Sequence, residues 1–166
     1  TDAATVAGFG YSENVPTATL SAGTRAEFRS TLVGNGLTVD ARGENTSTAR
    51  ARYVDVGLLA LGEGGARAVV TTSAAVVADV ASGAGQVRAG AGPVAVTAWS
   101  QNAALADVRS VSVALFSIKG TTPEAFVSAP TRASFVAGAA DSGAFTVAAS
   151  SRNTVDATVR VLSISV

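Results

Sequence analysis

The chain contains no cysteine, no histidine and no methionine, and its only lysine is Lys119. Without cysteine it has no disulfides, no thiolate nucleophile and no cysteine-ligated metal. Without histidine it lacks the commonest acid–base catalyst and the commonest transition-metal ligand. The acidic residues do not form a recognisable pair across the repeats described below. The sequence therefore predicts that the protein is not an enzyme, and it gives no candidate catalytic residue, cofactor or metal site.

An excess of charge of one sign is also missing. Twelve basic and twelve acidic residues give a formal net charge of zero, and they are spread along the chain without runs. Nucleic-acid binding needs a clustered positive surface, and no apolar run is long enough to span a bilayer. We therefore predict no nucleic-acid partner and no membrane span. With no methionine at position 1 and no signal peptide, a mature secreted chain, or a slice of a larger one, fits best.

Aromatic residues are scarce at 5% of the chain, although 48% of it is hydrophobic. A core built from alanine and valine is thin and requires closely spaced backbones. Small apolar residues alternate with polar ones in segments such as 37–43 and 94–99, and glycine-rich turns separate such segments. Alternation with a period of two indicates half-buried strands. No segment has a convincing helical pattern, so the sequence predicts an all-β fold.

One pattern occurs three times, anchored on Asn45, Asn102 and Asn153, with spacings of 57 and then 51 residues. An apolar residue precedes each asparagine by eight and six positions, an alanine follows at +4 and an arginine at +7. Internal repetition of this kind is typical of stacked repeat folds. The matched columns at −8, −6, +7, +9, +11 and +13 are Leu37/Val94/Phe145, Val39/Val96/Val147, Arg52/Arg109/Arg160, Val54/Val111/Leu162, Val56/Val113/Ile164 and Leu58/Leu115/Val166.

The repeat divides the chain into units of roughly 50–57 residues, at about 9–58, 59–115 and 116–166, within one repeat-built domain over 1–166. Residues 1–8 occupy the same phase as residues 159–166. A second block agrees with this division, because residues 16–28 resemble residues 123–135. The chain therefore covers three units and one duplicated strand.

A parallel β-solenoid suits this pattern, because identical side chains would stack on successive coils. With about 20 residues per coil, each unit would supply two or three coils, and the rod would be roughly 40 Å long. The apolar phase slips by one residue after +4, which predicts a bulge or corner near the arginine at +7. A closed pseudo-threefold β-prism or β-trefoil, or a β-sandwich, is the alternative.

The repeat also resembles a known family. The pattern V-x-A-x-[SG]-x-N-x-x-x-A-x-x-R, then V-x-V-x-L, and the run E-A-F-V-S-A before F-V-A-G-A-A-D-S-G-A-F-T-V-A-A-S-S-R-N are similar to the repeats of filamentous-haemagglutinin-like and leukotoxin-like bacterial surface adhesins. The resemblance covers Val6 to Val166. It implies a secreted β-solenoid stalk that holds adhesive parts away from the cell.

Several residues are candidates for specific roles. Asn45, Asn102 and Asn153 are expected to stack as a hydrogen-bonded ladder, and Arg52, Arg109 and Arg160 as a solvated or salt-bridged column. Trp99 and Tyr53 are possible sugar platforms on strand faces, although ordinary packing is the simpler account. The candidates for strand exchange between chains are Val6, Leu162, Ile164 and Val166.

Two functional hypotheses follow from different classes. The first is an extracellular structural or adhesive module, a stalk repeat or a self-assembling fibre subunit, whose partners are copies of itself or adjoining repeats of a larger protein. Its strands would pair end to end at the cell surface. The second is a lectin-like module that binds surface glycans at three pseudo-equivalent sites.

Overall fold

The computed structural model describes residues 2–81, 84–137 and 140–164, without the side chains of residues 5, 7, 10 and 12. Almost all of these residues lie in strands, and the only helical element among them is a 3₁₀ turn at Thr72–Ala74. The strands are β1 (Asp2–Asn14), β2 (Thr17–Leu20), β3 (Thr24–Phe28), β4 (Leu32–Val33), β5 (Leu37–Val70), β6 (Val76–Val80), β7 (Val87–Arg88), β8 (Pro93–Val127), β9 (Thr131–Phe135), β10 (Ala140–Asp141) and β11 (Ala144–Ile164).

Each strand pairs in parallel with its equivalent in the next repeat. The main sheet has the order β1-β5-β8-β11, with β2 also paired to β5. The order β3-β6-β9 forms a second sheet, and β4 and β10 flank β7 in a third. Asn45 pairs with Asn102 and Asn102 with Asn153, so the register matches the sequence repeat. The fold is an all-β, parallel, solenoid-like stack.

The expected coil size was wrong. Because every strand pairs with the strand one repeat away, one repeat is one coil, and the predicted two or three coils of about 20 residues do not occur. The long sheet is four strands deep along the axis. Three spacings of about 4.8 Å give a height of roughly 15 Å for the described chain, well below the expected 40 Å.

The coil is flattened into two facing walls. In the second coil, a front wall (residues 37–57) faces a back wall (residues 60–80). The Tyr53 hydroxyl of the front wall accepts a hydrogen bond from the Gly65 amide of the back wall at 3.1 Å. Strand pairing skips Leu58 and Leu115, where the chain passes from one wall to the other. The interior is therefore only about one layer of side chains from each wall.

The predicted bulge at the +7 arginine is absent. Inward and outward residues alternate without a break from Val39 to Asp55, so Arg52 lies in regular strand. The turn falls six residues later, at Leu58. As a consequence, the front-wall residues at +9 and +11, such as Val54 and Val56, point outward and are exposed.

Small side chains fill the space between the walls. One cluster is centred on Val39, Ala41, Val76, Ala78 and Val80, and the other on Ala49, Ala51, Ala66, Ala68 and Val70. Valine is the largest fully buried apolar side chain of the described residues. Close-packed interiors of this kind tolerate little added volume.

The tightness of the interior is testable at Gly43. A β-carbon there would lie 2.4 Å from Val76 Cγ2. We expect Gly43→Ala to lower the free energy of unfolding by about 1–3 kcal/mol, because overpacking forces side chains off their rotamers. Gly120→Ala is the control, since the nearest atom to its β-carbon is 3.9 Å away. Denaturant unfolding measures both, and equal stability of the two variants would contradict the two-wall packing.

Candidate assembly interface

An asparagine ladder runs through the interior along the solenoid axis. Asn45 Nδ2 donates to Asn102 Oδ1 at 2.8 Å, and Asn102 Nδ2 donates to Asn153 Oδ1 at 2.8 Å. Asn45 Nδ2 also donates to the Ala74 carbonyl oxygen of the back wall at 3.2 Å. Asn102 is fully buried, whereas Asn153 in the last strand is exposed. The ladder satisfies buried polar groups and links β5, β8 and β11 in one register.

A serine column runs beside the ladder two residues earlier in each coil. Ser100 Oγ donates to Ser151 Oγ at 3.1 Å and also lies 2.5 Å from the Thr131 hydroxyl oxygen. In the second coil the same column holds Gly43, which packs closely against Val76. The polar columns thus bond directly from one coil to the next and favour this register.

The three repeated arginines lie on the outward face of the front wall. Arg52, Arg109 and Arg160 are in register and exposed. Arg109 Nε lies 3.0 Å from Asp107 Oδ2 of its own strand. The arginines form a solvent-exposed column, in which an isolated surface ion pair contributes little to stability.

Trp99 lies half-exposed in a shallow groove on the same outward face. Asp40, Arg42 and Glu44 of the neighbouring strand also line this groove. The Asp40 carboxylate accepts a 2.5 Å hydrogen bond from the Thr97 hydroxyl and a 2.8 Å bond from Arg42 Nε. The Thr97 bond, with the Arg42 bond and charge, holds the pKa of Asp40 below its usual value. The groove combines one aromatic face with charged hydrogen-bonding groups.

Tyr53 packs between the two walls, which is the simpler account given above, and it is not a surface platform. Its side chain is 4% exposed and lies between the two walls. Its hydroxyl group bonds to the backbone of Asn14 and Gly65. Burial raises the pKa of the phenol, partly offset by the Gly65 hydrogen bond. The uninterrupted alternation of the front wall puts Tyr53 inside and its neighbours outside.

An exposed hydrophobic surface surrounds the turn between the walls. We call it the apolar rim. Exposed rim side chains on the two walls are Val6, Phe9, Tyr11, Val54, Val56, Leu58, Leu115, Phe116 and Ile118. Large apolar side chains that are exposed in one region of a protein surface are typical of an interaction site. The repeated columns at +9, +11 and +13 contained this signal, but the sequence did not tell which face they occupy.

The two ends of the stack carry strands that the described chain pairs on one side only. These are β1, which pairs with β5, and β11, which pairs with β8. Val6 lies in one column with Val56, Val113 and Ile164, and Ala4 shares its column with Leu162. Val166, the fourth strand-exchange candidate, lies outside the described residues.

The inward face of β11 is uncovered. Its residues lie in the columns that are buried in the preceding coils, but at this level the described chain has no back wall. Exposed residues of this face include Phe145, Val147, Val155, Val159 and Val161. In the first coil it is the front wall that is incomplete. β1 begins at the column of Arg52, so the described chain has no front-wall residues before that column. Among the described residues, β11 therefore has no opposite wall, and β1 lacks most of its own front wall.

No protein-family model, curated protein or solved structure matches this chain. Among the described residues, no group of three acidic side chains is arranged to hold a metal ion. The same residues contain no helix with the length and apolar character needed to cross a membrane.

The ladder predicts a large effect at its centre. Asn102→Ala removes both ladder bonds, so the buried Asn45 amide loses its Asn102 acceptor and Asn153 Oδ1 loses its Asn102 donor. We expect the free energy of unfolding to fall by about 2–4 kcal/mol. Asn153→Ala removes an exposed rung, and we expect a loss below about 1 kcal/mol. Denaturant unfolding of dilute protein measures both, and equal losses would show that the ladder is not a buried network.

Proposed function

We propose that this chain is an extracellular structural or adhesive module, a stalk repeat or self-assembling fibre subunit, that acts by stacking β-strands end to end. The observation that carries the proposal is the in-register parallel stacking of equivalent columns from β1 through β5 and β8 to β11. A neighbour with the same repeat would continue these columns along the axis.

The unpaired strand edges support this mode of association. An exposed strand presents a row of unused backbone donors and acceptors, which pair readily with another chain. If β1 of one chain is added beside β11 of another, Val6 comes next to Ile164, and Ala4 next to Leu162. These columns are apolar in all the coils. The contact would bury exposed valine, leucine and isoleucine in addition to forming backbone hydrogen bonds.

The alternation of inward and outward side chains gives the association a register. β1 begins at the column of Arg52, so it meets β11 through the columns of Ala4 with Leu162 and Val6 with Ile164. A shift of one residue would exchange the inward and outward faces, so these columns favour a single alignment.

The partners we propose are copies of the same chain or adjoining repeats of a larger protein, at the cell surface or outside the cell. The resemblance to adhesin repeats and the absence of cysteine, histidine and clustered charge support this choice over catalysis or nucleic-acid binding. Many such coils stacked end to end would form an elongated rod, which is the shape that a stalk or fibre requires.

Electron microscopy over a range of concentrations tests the proposal. We expect filaments with a repeat of about 4.7–4.8 Å along the axis. A chain lacking residues 1–8 should remain monomeric, because it loses most of β1. Leu58→Lys is the matched control, since it disrupts the apolar rim but leaves the strand edges at both ends intact. Normal filaments from the truncated chain would contradict the proposal, as would compact particles of the full chain at every concentration.

The groove at Trp99 favours a carbohydrate-binding module as a second candidate. The residues in register with Trp99 are Arg42 and Ser150. Because these residues differ, we place this candidate at the single groove of Trp99 instead of at three equivalent sites. Surface glycans would stack on the indole and bond to the charged groups around it.

Glycan-array screening followed by calorimetry tests this candidate. We expect Trp99→Ala to weaken glycan binding about fivefold, corresponding to the loss of about 1 kcal/mol of stacking. Tyr53→Phe should leave binding unchanged, because Tyr53 lies between the walls. Absence of binding to every glycan, or equal binding by Trp99→Ala, would exclude the groove as a lectin site.

A further inference from the structure

The only lysine of the chain is buried against an aspartate inside the turn that joins the two walls. Lys119 Nζ lies 2.5 Å from Asp55 Oδ2, and the two side chains are 8% and 5% exposed. Asp55 belongs to the front wall of the second coil, and Lys119 to the back wall of the third. The pair thus bridges two walls and two successive coils.

The surroundings of this pair exclude bulk water. Ser110 Oγ accepts a hydrogen bond from Lys119 Nζ at 2.8 Å, and Ser110 is itself buried. Tyr53 also lines the cavity around the pair, which has a volume of about 10 Å³. Such a cavity holds one water molecule at most. A buried ion pair in a site of this kind bears a large desolvation cost, so removing both charges is favoured.

We propose that Lys119 and Asp55 condense to an intramolecular isopeptide bond. The chemistry differs from that of the strand pairing proposed above and does not depend on it. Proximity carries the argument, since two groups held in contact react with effective molarities of about 10⁵–10⁸ M. In bulk water, hydrolysis of the isopeptide bond would be favoured over its formation. A cavity with room for one water molecule does not supply the solvent for this hydrolysis.

The reaction balances without any added reagent. A proton passes from the ammonium group to the carboxylate, giving an amine and a carboxylic acid. The lone pair of Nζ attacks Cγ of Asp55, so an N–C bond forms. The C–O bond to one carboxyl oxygen then breaks, and that oxygen leaves as water with the second proton from nitrogen. One ammonium and one carboxylate are converted into one secondary amide and one water molecule, and Ser110 orients the nitrogen.

The bond would join β5 to β8 inside the apolar rim. In the unfolded chain it would close a loop between positions 55 and 119, which restricts the unfolded ensemble. In the folded chain it would prevent the second and third coils from separating at the turn. If the module stacks through its ends, the bond would keep the second and third coils joined when a pulling force acts along the stack.

Intact-mass spectrometry of the denatured full chain is the direct test. We expect a mass lower than the sequence mass by one water molecule. Lys119→Arg keeps the positive charge but should show its full sequence mass, as should Asp55→Ala. A cyclic imide at Asp55 would also lose water, but it would persist in Lys119→Arg, so water loss in that variant would overturn the proposal.

Tryptic digestion locates the bond. Trypsin should fail to cleave after Lys119, and the product should be a branched peptide in which residues 53–67 are joined to residues 110–132. Circular dichroism verifies that the sample had folded before digestion. Folded wild-type chain with its full sequence mass after prolonged incubation, and with normal cleavage after Lys119, would overturn the proposal. Failure of filament formation would leave this result unaffected.

Discussion

The narrow space between the two walls is the constraint on which the rest of this structure depends. Each inward position must hold a side chain small enough to meet its counterpart on the opposite wall, as at Gly43 opposite Val76. Because strands of successive coils pair in register, the same restriction applies to the same column in every coil. The abundance of alanine, valine and glycine and the scarcity of aromatic residues follow from this geometry.

In-register stacking also explains how a thin core contains polar residues. An isolated buried asparagine would leave donors and acceptors unpaired, at a cost of about 1–3 kcal/mol for each group. Here the next coil supplies an identical amide at hydrogen-bonding distance, so Asn45, Asn102 and Asn153 satisfy one another. The ladder in turn disfavours other registers, because a one-residue slip would turn the amides outward.

The same geometry accounts for the surfaces that a partner would recognise. A stack of open coils necessarily leaves strand edges at both ends, and the turn between the walls exposes apolar residues on both sides. The end coils are proposed to pair with neighbours, and the Lys119–Asp55 pair is proposed to fasten the turn. Both proposals depend on residues brought together by stacking, since position 55 lies close to position 119 only when two coils are superimposed.

The sequence by itself determined the repeat, its register and the all-β character of the fold, because side chains in equivalent columns must be alike when coils stack. It favoured parallel stacking over a closed threefold fold, and the strand pairing of the structure decided between them. Only the tertiary structure decided how many coils a repeat makes, since a period of two does not reveal where a strand turns. It also decided which face of the front wall is inside. Val54 and Val56 are as apolar as the buried residues, yet they point outward, while Tyr53 and Asp55 point inward. Because both faces of the strand carry apolar residues here, the sequence does not distinguish which face points inward. The structure does, because the opposite wall provides space and hydrogen-bonding partners on one face only.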